Sequence, residues 1–262
     1  SWGSDLLVGA RRSTAQRQLA RWVLRRADRI TCVSQNLAQA ALALGAPPER
    51  VEVVPWGVDT GIFYPAPPGS PPAGPPIVLS IRAMRPIYNP LDLARAIPMV
   101  LAQVPEARFV IRTYNTDSTL LAQVRSLIDL AGVTAAVEYV DELPDDRAIA
   151  ELYRRAAVAV SVPSSDGTPQ SVLEAMACGA VPVLSDLPSL REWVDDDREA
   201  FLVPVGDSEA IASAVIRLLT EPDLRSRMRA AGSDLIRRQG DSQVLMRRCE
   251  EIYQQLAGGQ QP

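Results

Sequence analysis

Short apolar runs alternate with amphipathic helical stretches along most of the chain. Runs with the length and composition of buried strands lie at 77–80, 108–112, 137–140, 158–162, 181–184 and 201–203. Periodic stretches typical of helices lie at 91–104, 118–131, 145–156, 168–178, 207–219, 222–238 and 244–256. Earlier in the chain, strands are predicted at 30–33 and 51–54, with a helix from Ser34 to Leu44 between them. This alternation predicts an α/β fold with a doubly wound parallel sheet.

The stretch from Ala157 to Leu184 is the centre of this pattern. Val158–Val162 is predicted to be a buried strand, and the turn sequence P-S-S-D-G follows it. Thr168 is predicted to cap the next helix, with Pro169 at its first position and Gly179 just past its end. The right-handed crossover of such a unit places the loop at the carboxyl edge of the sheet, where α/β proteins bind ligands.

The start of that helix has the features of a phosphate and sugar site. The backbone N–H groups of Gln170 and Ser171 are expected to be unpaired there, and the helix dipole adds positive potential. Glu174 follows on the same face, where a carboxylate can accept hydrogen bonds from a diol such as ribose. Asp166 precedes the helix, on the side of a sugar beyond the phosphates. On spacing alone, a solvated Glu174 and a turn-forming Asp166 stay open as the alternative.

The composition excludes several kinds of chemistry. All 27 basic residues are arginine, so no lysine Schiff base, histidine base or histidine metal ligand exists in these residues. Cys32, Cys178 and Cys249 lack C-x-x-C spacing, which argues against a disulfide framework or zinc site and favours a reducing compartment. The net charge of −4 gives no indication of nucleic-acid binding. No apolar run approaches the ~20 residues of a membrane span, and we expect a cytoplasmic location.

Residues 10–29 form a predicted helix of strongly basic composition. Leu19, Trp22 and Val23 share one apolar face, and Asp28 is the single acid in the stretch. Its arginines are Arg11, Arg12, Arg17, Arg21, Arg25, Arg26 and Arg29. A basic amphipathic helix of this kind can lie on an anionic membrane, here at its inner face. An ordinary surface helix of a globular domain is the alternative.

Residues 66–76, with the sequence APPGSPPAGPP, mark the clearest boundary in the chain. Their proline density excludes helix and sheet and predicts a semi-rigid, extended linker. The linker separates residues 1–65 from a domain at 77–238, and residues 239–262 carry the last predicted helix. The chain begins at Ser1 rather than Met, so we expect it to be part of a longer protein.

The run S-V-P-S-S-D-G-T-P-Q-S-V-L-E-A-M-A-C-G-A-V-P-V resembles the donor-site signature of GT-B glycosyltransferases, in particular the large retaining family 4. That family carries two glutamates separated by seven residues; here Glu174 is the second, and Asp166 replaces the first. The resemblance implies that Glu174 holds the ribose and that Asp166, as a catalytic residue, faces the donor sugar. It also implies that backbone groups contact sugar hydroxyls and diphosphate at Gly167, Thr168, Pro169, Gln170 and Ser171.

Other segments extend the resemblance over most of the chain. Residues 55–65, PWGVDTGIFYP, are similar to the end of the family's first domain, and the W-G-S-D after Ser1 is similar to a segment midway through it. Arg82 matches the family's diphosphate-binding arginine, which we predict to be catalytic. The family's lysine is absent, and Tyr88 and Asn89 stand near its place. The loop at 141–144 matches the nucleobase loop, with Glu142 and Leu143 as predicted donor contacts.

The resemblance implies a GT-B fold with a Rossmann-like donor domain at 77–238. Residues 1–65 would be the tail of a second Rossmann-like, acceptor-binding domain, and residues 239–262 would pack back on it. The implied activity is metal-independent, cofactor-free transfer of a sugar from a nucleotide-diphospho-sugar to a glycan, lipid or small-molecule acceptor, with retention. Residues 1–262 alone are expected to be inactive, because most of the acceptor domain would be missing.

Other functions remain open on the sequence. A non-catalytic nucleotide-sugar-binding relative is favoured by the missing lysine and by Asp166. A sugar-nucleotide epimerase of similar fold would not explain the A-M-A-C-G run. A phosphorylase-like enzyme would need a lysine for its pyridoxal cofactor, and the chain has none. The nucleobase, the sugar and the acceptor are left undetermined.

Overall fold

The computed structural model describes Leu6 and residues 13–67, 74–141 and 143–258. Its strands are β1 (Ile30–Cys32), β2 (Val51–Val53), β3 (Ile77–Ser80), β4 (Arg108–Arg112), β5 (Val137–Val140), β6 (Ala156–Ser161), β7 (Val181–Ser185) and β8 (Phe201–Val203). Its helices are α1 (Thr14–Arg26), α2 (Gln35–Ala43), α3 (Pro90–Gln103), α4 (Ser118–Leu130), α5 (Asp146–Arg155), α6 (Gln170–Ala177), α7 (Pro188–Arg191), α8 (Ser208–Thr220), α9 (Pro222–Leu235) and α10 (Ser242–Gly258).

The main sheet has six parallel strands in the order β5-β4-β3-β6-β7-β8. This confirms the predicted doubly wound α/β architecture. The chain runs outward from β3 in one direction and from β6 in the other, so the strand order reverses between these two neighbours. Ligands of open α/β sheets bind outside the carboxyl ends of the strands at such a switch point. The loops after β3 and β6 carry Arg82 and Asp166 there.

Both faces of the central strands β3, β6 and β7 are covered, which is why these strands are apolar runs rather than alternating ones. Val78 and Phe109 pack with α3, α4 and α8 on one face. Leu79 and Val110 pack on the other face with α5 and α6, where Tyr153 and Leu173 are fully buried.

The N-terminal part forms a separate, smaller layer. β1 and β2 pair in parallel, and α2 packs on them around Cys32 and Leu37. The Ser34 hydroxyl accepts a hydrogen bond from the Leu37 N–H at 3.2 Å, as the predicted helix cap requires. Gly45 follows α2 with φ +94°, a conformation that L side chains rarely adopt.

The last helix lies against this N-terminal layer. Val58 N–H donates to the Gly240 carbonyl, and the Ser242 N–H donates to the Val58 carbonyl at 3.0 Å. Arg248 of α10 forms an ion pair with Glu52 of β2. The chain between α9 and α10 therefore forms a short parallel bridge to the segment that follows β2.

The basic helix predicted at 10–29 is shorter in the described part of the chain. α1 begins after Ser13, whose hydroxyl accepts from the Gln16 N–H at 3.1 Å, and residues 10–12 lie outside the described residues. Ala27 adopts extended backbone and ends the helix. Leu24 is the buried residue of this helix, whereas the predicted apolar face of Leu19, Trp22 and Val23 is exposed to solvent. Among the described residues, no helix is both long and apolar enough to cross a membrane.

Candidate donor-binding site

Arg82 stands at the centre of the site and contacts two residues that the sequence places far away. Its Nη2 lies 3.2 Å from Asp166 Oδ2, and its Nη1 donates to Ser171 Oγ at 3.2 Å. The side chains of Arg82 and Asp166 are only 12% and 11% exposed. Burial works to lower the pKa of Arg82, but Asp166, Tyr88 and Tyr114 together outweigh burial and the pKa is raised. The fold therefore brings three predicted site residues together.

Of the two residues near the place of the family's lysine, Tyr88 contacts Arg82 and Asn89 fixes the loop that carries it. The Tyr88 ring lies under the guanidinium of Arg82, 4.2 Å from Cζ to the ring centroid. Asn89 has φ +48° at the start of α3, and its side-chain amide donates to the Val162 carbonyl at 2.9 Å. This bond ties the loop after β3 to the end of β6.

The start of α6 differs from the prediction. Thr168 does not cap the helix, because its hydroxyl donates to the Val33 carbonyl in the N-terminal layer. The helix begins at Gln170, and Pro169 occupies the cap position without a side-chain bond. The Gln170 N–H donates to the Thr168 carbonyl at 3.0 Å, so the prediction that this N–H is unpaired is wrong. Ser171 keeps an N–H without a hydrogen bond to any other described residue.

Asp166 is fixed by its own loop. Its Oδ1 accepts from the Gly167 N–H at 2.9 Å, so this predicted backbone donor is occupied. The Ser189 hydroxyl donates to the Asp166 carbonyl at 2.8 Å. Oδ2 faces Arg82 but accepts no directed hydrogen bond, which leaves it with unused acceptor capacity.

Glu174 lies one helical turn into α6 and is largely buried. Burial raises its pKa to about 7, with a further rise from Asp146, against the lowering effects of Gln170, Arg112 and Tyr153. Gln170 also donates through Nε2 to the Gly57 carbonyl at 2.8 Å. Gln170 lies one turn before Glu174 in α6, so this bond joins the helical turn that carries the predicted ribose carboxylate to the segment after β2.

Three residues that the sequence analysis did not single out as site residues also reach this region: Arg112, Tyr114 and Tyr153. Arg112 ends β4, and its guanidinium lies 4.3 Å from the centroid of the Tyr114 ring. Burial raises the pKa of both tyrosines, with Glu174 adding to the rise and Arg112 opposing it. For Arg112, the sequence did offer one indication of a site residue, which is its position at the carboxyl end of an apolar strand.

The remaining predicted contacts are less well defined. Leu143 is partly buried and packs on the core beside α5, close to the end of β5. Glu142 lies outside the described residues. Among the described residues, no group of three histidine, cysteine or acidic side chains is arranged to hold a metal ion.

Comparison with solved structures identifies the architecture first. The structure of Anabaena Alr3699/HepE in complex with UDP and glucose superposes with a TM-score of 0.85 at 16% identity, covering 97% of this chain and 70% of that one. Together with the parallel sheet and its switch point, this similarity shows a GT-B fold.

Sequence comparison then gives the family. Residues 67–234 match the family model "Glycosyl transferases group 1", and residues 6–62 match "Glycosyltransferase Family 4". The chain therefore belongs to the group 1 glycosyl transferases.

Two curated relatives illustrate the range of this family. The D-inositol 3-phosphate glycosyltransferase of Acidothermus cellulolyticus is 31% identical over 220 residues, which cover 79% of this chain and 48% of that protein. The phosphatidyl-myo-inositol mannosyltransferase of Mycolicibacterium smegmatis is 30% identical over 220 residues, covering 82% of this chain and 54% of that protein. The chain spans about half the length of the curated relatives it matches.

Proposed function

We propose that the protein binds a nucleotide-diphospho-sugar at the carboxyl ends of β3 and β6 and transfers the sugar to an acceptor with retention. The observation that carries this proposal is the convergence of Arg82, Asp166 and Ser171 at the start of α6, with Glu174 one turn beyond. The match to the group 1 family model and the UDP and glucose bound by the Anabaena neighbour support a donor of this class.

The proposed arrangement assigns one part of the donor to each group. The diphosphate lies against the Ser171 N–H and the Arg82 guanidinium, which together stabilise the charge that develops as the bond to the sugar breaks. Glu174 accepts hydrogen bonds from the ribose hydroxyls. Asp166 faces the donor sugar in this arrangement, and its Oδ2, which is buried against the guanidinium, keeps Arg82 oriented.

Retention follows in this proposal from attack on the face that the diphosphate leaves. The acceptor hydroxyl bonds to the anomeric carbon as the carbon–oxygen bond to phosphate breaks, and its proton passes to the departing phosphate oxygen. No protein nucleophile is needed, and Arg82 takes the role that a divalent cation has in other transferases. We therefore propose a hexosyltransferase that needs neither a metal nor a cofactor.

Calorimetry with UDP, GDP and ADP, each with and without a chelator, tests the binding part. We expect one of these nucleotides to bind with the same affinity in both conditions. Binding that disappears with chelator would contradict metal independence. A Glu174→Gln variant with reduced affinity shows that the heat comes from this site, and Arg125→Ala, on the outer face of α4, is the matched control.

Product analysis tests the transfer. With the nucleotide identified, free nucleoside diphosphate released only when an acceptor is present indicates transfer, and the anomeric configuration of the product is read by NMR. An altered donor sugar would indicate an epimerase, and binding without any turnover by a protein of the relatives' length would indicate a non-catalytic relative. For residues 1–262 alone we expect donor binding without useful transfer.

We also propose a cytoplasmic location with peripheral membrane contact through α1. Leu19, Trp22 and Val23 are exposed on this helix, and Arg26 stacks on the Trp22 ring at 4.5 Å. Such a surface can insert its apolar side chains between anionic lipid headgroups. Co-sedimentation with vesicles that contain anionic lipid tests this, and Trp22→Ser is expected to reduce it. Equal binding to neutral vesicles would contradict the electrostatic part.

A further inference from the structure

The carboxylate of Glu192, which lies between β7 and β8 of the main sheet, binds the start of α2 in the N-terminal layer. Its Oε2 accepts a hydrogen bond from the Gln35 N–H and its Oε1 accepts one from the Asn36 N–H, each at 2.6 Å. These are the first two residues of α2, and N–H groups at the start of a helix have no partner within it. The Leu37 N–H, next in the helix, is bonded to the Ser34 hydroxyl. Glu192 therefore completes the cap of α2 from another part of the fold.

The two bonds match the electrostatics of the helix. A helix N-terminus carries a partial positive charge, which a carboxylate complements when it accepts directly from the first N–H groups. The first turn of α2, with the sequence Q-N-L-A, contains no acidic residue of its own. The negative charge at this helix start is thus supplied by Glu192, across the boundary between the N-terminal layer and the unit built on the main sheet.

Glu192 is held by the short helix that precedes it. α7 is anchored in the core of the main-sheet unit through Leu190, which is fully buried, and Val194 is buried two residues after Glu192. In the same helix, the buried Ser189 donates its hydroxyl to the Asp166 carbonyl at 2.8 Å. α7 therefore also contacts the segment at 162–169, which joins β6 to α6 and is named the Asp166 loop below.

A third contact closes a hydrogen-bonded ring. The Thr168 hydroxyl, in the Asp166 loop, donates to the carbonyl of Val33, two residues before α2 begins. The ring joins three segments, which are residues 33–36, the Asp166 loop and residues 189–192. Two of its three connections cross between the N-terminal layer and the main-sheet unit. The Asp166 loop is therefore restrained both by its own unit and by the layer opposite.

We propose that Glu192 is a positioning residue for the Asp166 loop: by clamping the start of α2, it fixes the N-terminal layer against the main-sheet unit and holds this loop in the arrangement that a nucleotide-sugar needs. The nucleotide-sugar part rests on the proposed function. Glu192 is not one of the proposed donor contacts, so its effect reaches the site through α2 and the hydrogen-bonded ring. Because Glu192 is exposed to solvent, its removal leaves no cavity in the core.

A purely local role in capping α2 is the competing explanation, and moving the charge separates the two. Glu192→Ala removes the clamp. Adding Gln35→Glu to that variant gives the first turn of α2 a carboxylate of its own, which complements the helix dipole without a bond between the two units. The positioning role predicts that the added carboxylate does not restore the Asp166 loop, whereas a capping role predicts full recovery.

Amide hydrogen exchange of the protein without ligand is the direct measurement. In Glu192→Ala we expect exchange in residues 164–173 to be at least about threefold faster, with exchange in α3 unchanged, and the addition of Gln35→Glu should leave it fast. Glu209→Ala, which removes an exposed acid from the first turn of α8, is the matched control and should not change exchange in 164–173. Unchanged exchange in Glu192→Ala, or full recovery on adding Gln35→Glu, would overturn the proposal.

Thr168→Val tests the hydrogen-bonded ring from its other side. The substitution removes the hydroxyl that bonds Val33 and keeps the size of the side chain, and we expect faster exchange in residues 164–173 here too. Because losing either connection opens the ring, the double variant with Glu192→Ala should show less than the product of the two single effects. Effects that multiply in full would show that Glu192 and Thr168 act independently and would overturn the ring as the connection.

Nucleotide binding separates this inference from the proposed function. In calorimetry with UDP, GDP and ADP, the nucleotide that binds the unaltered protein should bind Glu192→Ala about three- to tenfold more weakly and Glu209→Ala equally well. If exchange responds but no nucleotide binds the unaltered protein, the clamp stands and the proposed donor site is wrong. If nucleotide binds and exchange responds without a change in affinity, the positioning role is overturned. If nucleotide binds and neither quantity responds to Glu192, this inference alone fails.

Discussion

Arg82 and Asp166 form a buried ion pair, with Nη2 3.2 Å from Oδ2, between the loops that follow β3 and β6. These two strands are neighbours at the point where the strand order reverses. The ion pair therefore links the two loops at the switch point, where the proposed donor binds. In the same geometry Arg82 also reaches Ser171, so the guanidinium is held at the start of α6 before any ligand arrives.

We expect Arg82→Ala to lower the free energy of unfolding by about 3–5 kcal/mol, because it leaves the Asp166 carboxylate buried and uncompensated. The double variant with Asp166→Ala should be closer to the unaltered protein than the single variant is, because both charges are then gone. Urea denaturation at pH 7 measures both. Additive losses in the double variant would show that the two side chains do not act as a pair. Arg191→Ala, which removes an exposed pair with Asp186, is the control and should have little effect.

The sequence predicts Arg82 and Asp166 as residues of one site, but it does not predict the ion pair between them. Arg82 is predicted from the resemblance, whereas Asp166 and Glu174 are predicted from the local pattern as well as from the resemblance. The strand pattern places the loops of Arg82 and Asp166 at one sheet edge. Their pairing could not be predicted, because it depends on side-chain directions across loops 84 residues apart. Thr168 was assigned as a helix cap on local sequence alone. Its hydroxyl instead donates to Val33, a partner 135 residues away that no local rule can anticipate.

Glu174→Ala should weaken binding of a nucleoside diphosphate more than Asp166→Ala does. Glu174 is proposed to bond the ribose, which every nucleotide ligand carries, whereas Asp166 is proposed to meet only the sugar. Loss of a hydrogen bond to a charged group costs about 1.5–3 kcal/mol, or roughly ten- to hundredfold in affinity. Calorimetry with UDP and GDP compares the two. Equal losses in both variants would contradict this division of roles.

Glu174→Gln should make the protein more stable at neutral pH and above. The pKa of Glu174 is raised from its ordinary 4.5 to about 7, chiefly by burial. Below pH 4.5 the group is protonated in the folded and unfolded states alike, so it costs nothing. Between pH 4.5 and pH 7 the unfolded state alone releases the proton, and stability falls by about 3 kcal/mol over that window.

Glutamine does not titrate, so the stability of Glu174→Gln does not fall in this pH window. Urea denaturation from pH 4 to pH 8 should give curves that meet at low pH and separate as the pH rises, with the variant above. Glu221→Gln, the same exchange at an exposed position, is the matched control at each pH. Curves that separate in the opposite direction would mean that the Glu174 carboxylate is stabilised in the folded protein.

The fold was more predictable than the site, for a physical reason. Strands of a parallel sheet covered on both faces are continuous apolar runs, so β3, β4 and β8 are predicted with the bounds that the structure gives. Arg112 belongs to one of those correctly predicted strands, yet its burial was not foreseen. Whether a terminal arginine points to solvent or stacks on a tyrosine, as Arg112 does on Tyr114, depends on tertiary packing that the strand's own sequence does not specify.

Gly57 is the position where we expect the smallest substitution to have the largest structural effect. A Cβ added there would lie 2.5 Å from both the N and Cα of Ser242, a backbone that cannot move without displacing the start of α10. Overpacking of this kind costs about 1–3 kcal/mol. The same glycine offers its carbonyl to Gln170, so the displacement should also reach the start of α6.

We therefore expect Gly57→Ala to lower the free energy of unfolding by about 1–3 kcal/mol and to speed hydrogen exchange in α10 more than in α3. Gly258→Ala, where the added methyl meets no described atom within 4 Å apart from its chain neighbours and its own helix backbone, is the matched control and should change neither quantity. If α10 remains protected in Gly57→Ala, the contact between residues 57–58 and 240–242 does not hold this helix in place. Faster exchange confined to α10 and the start of α6 would instead show that one close backbone approach couples the last helix to the proposed donor site.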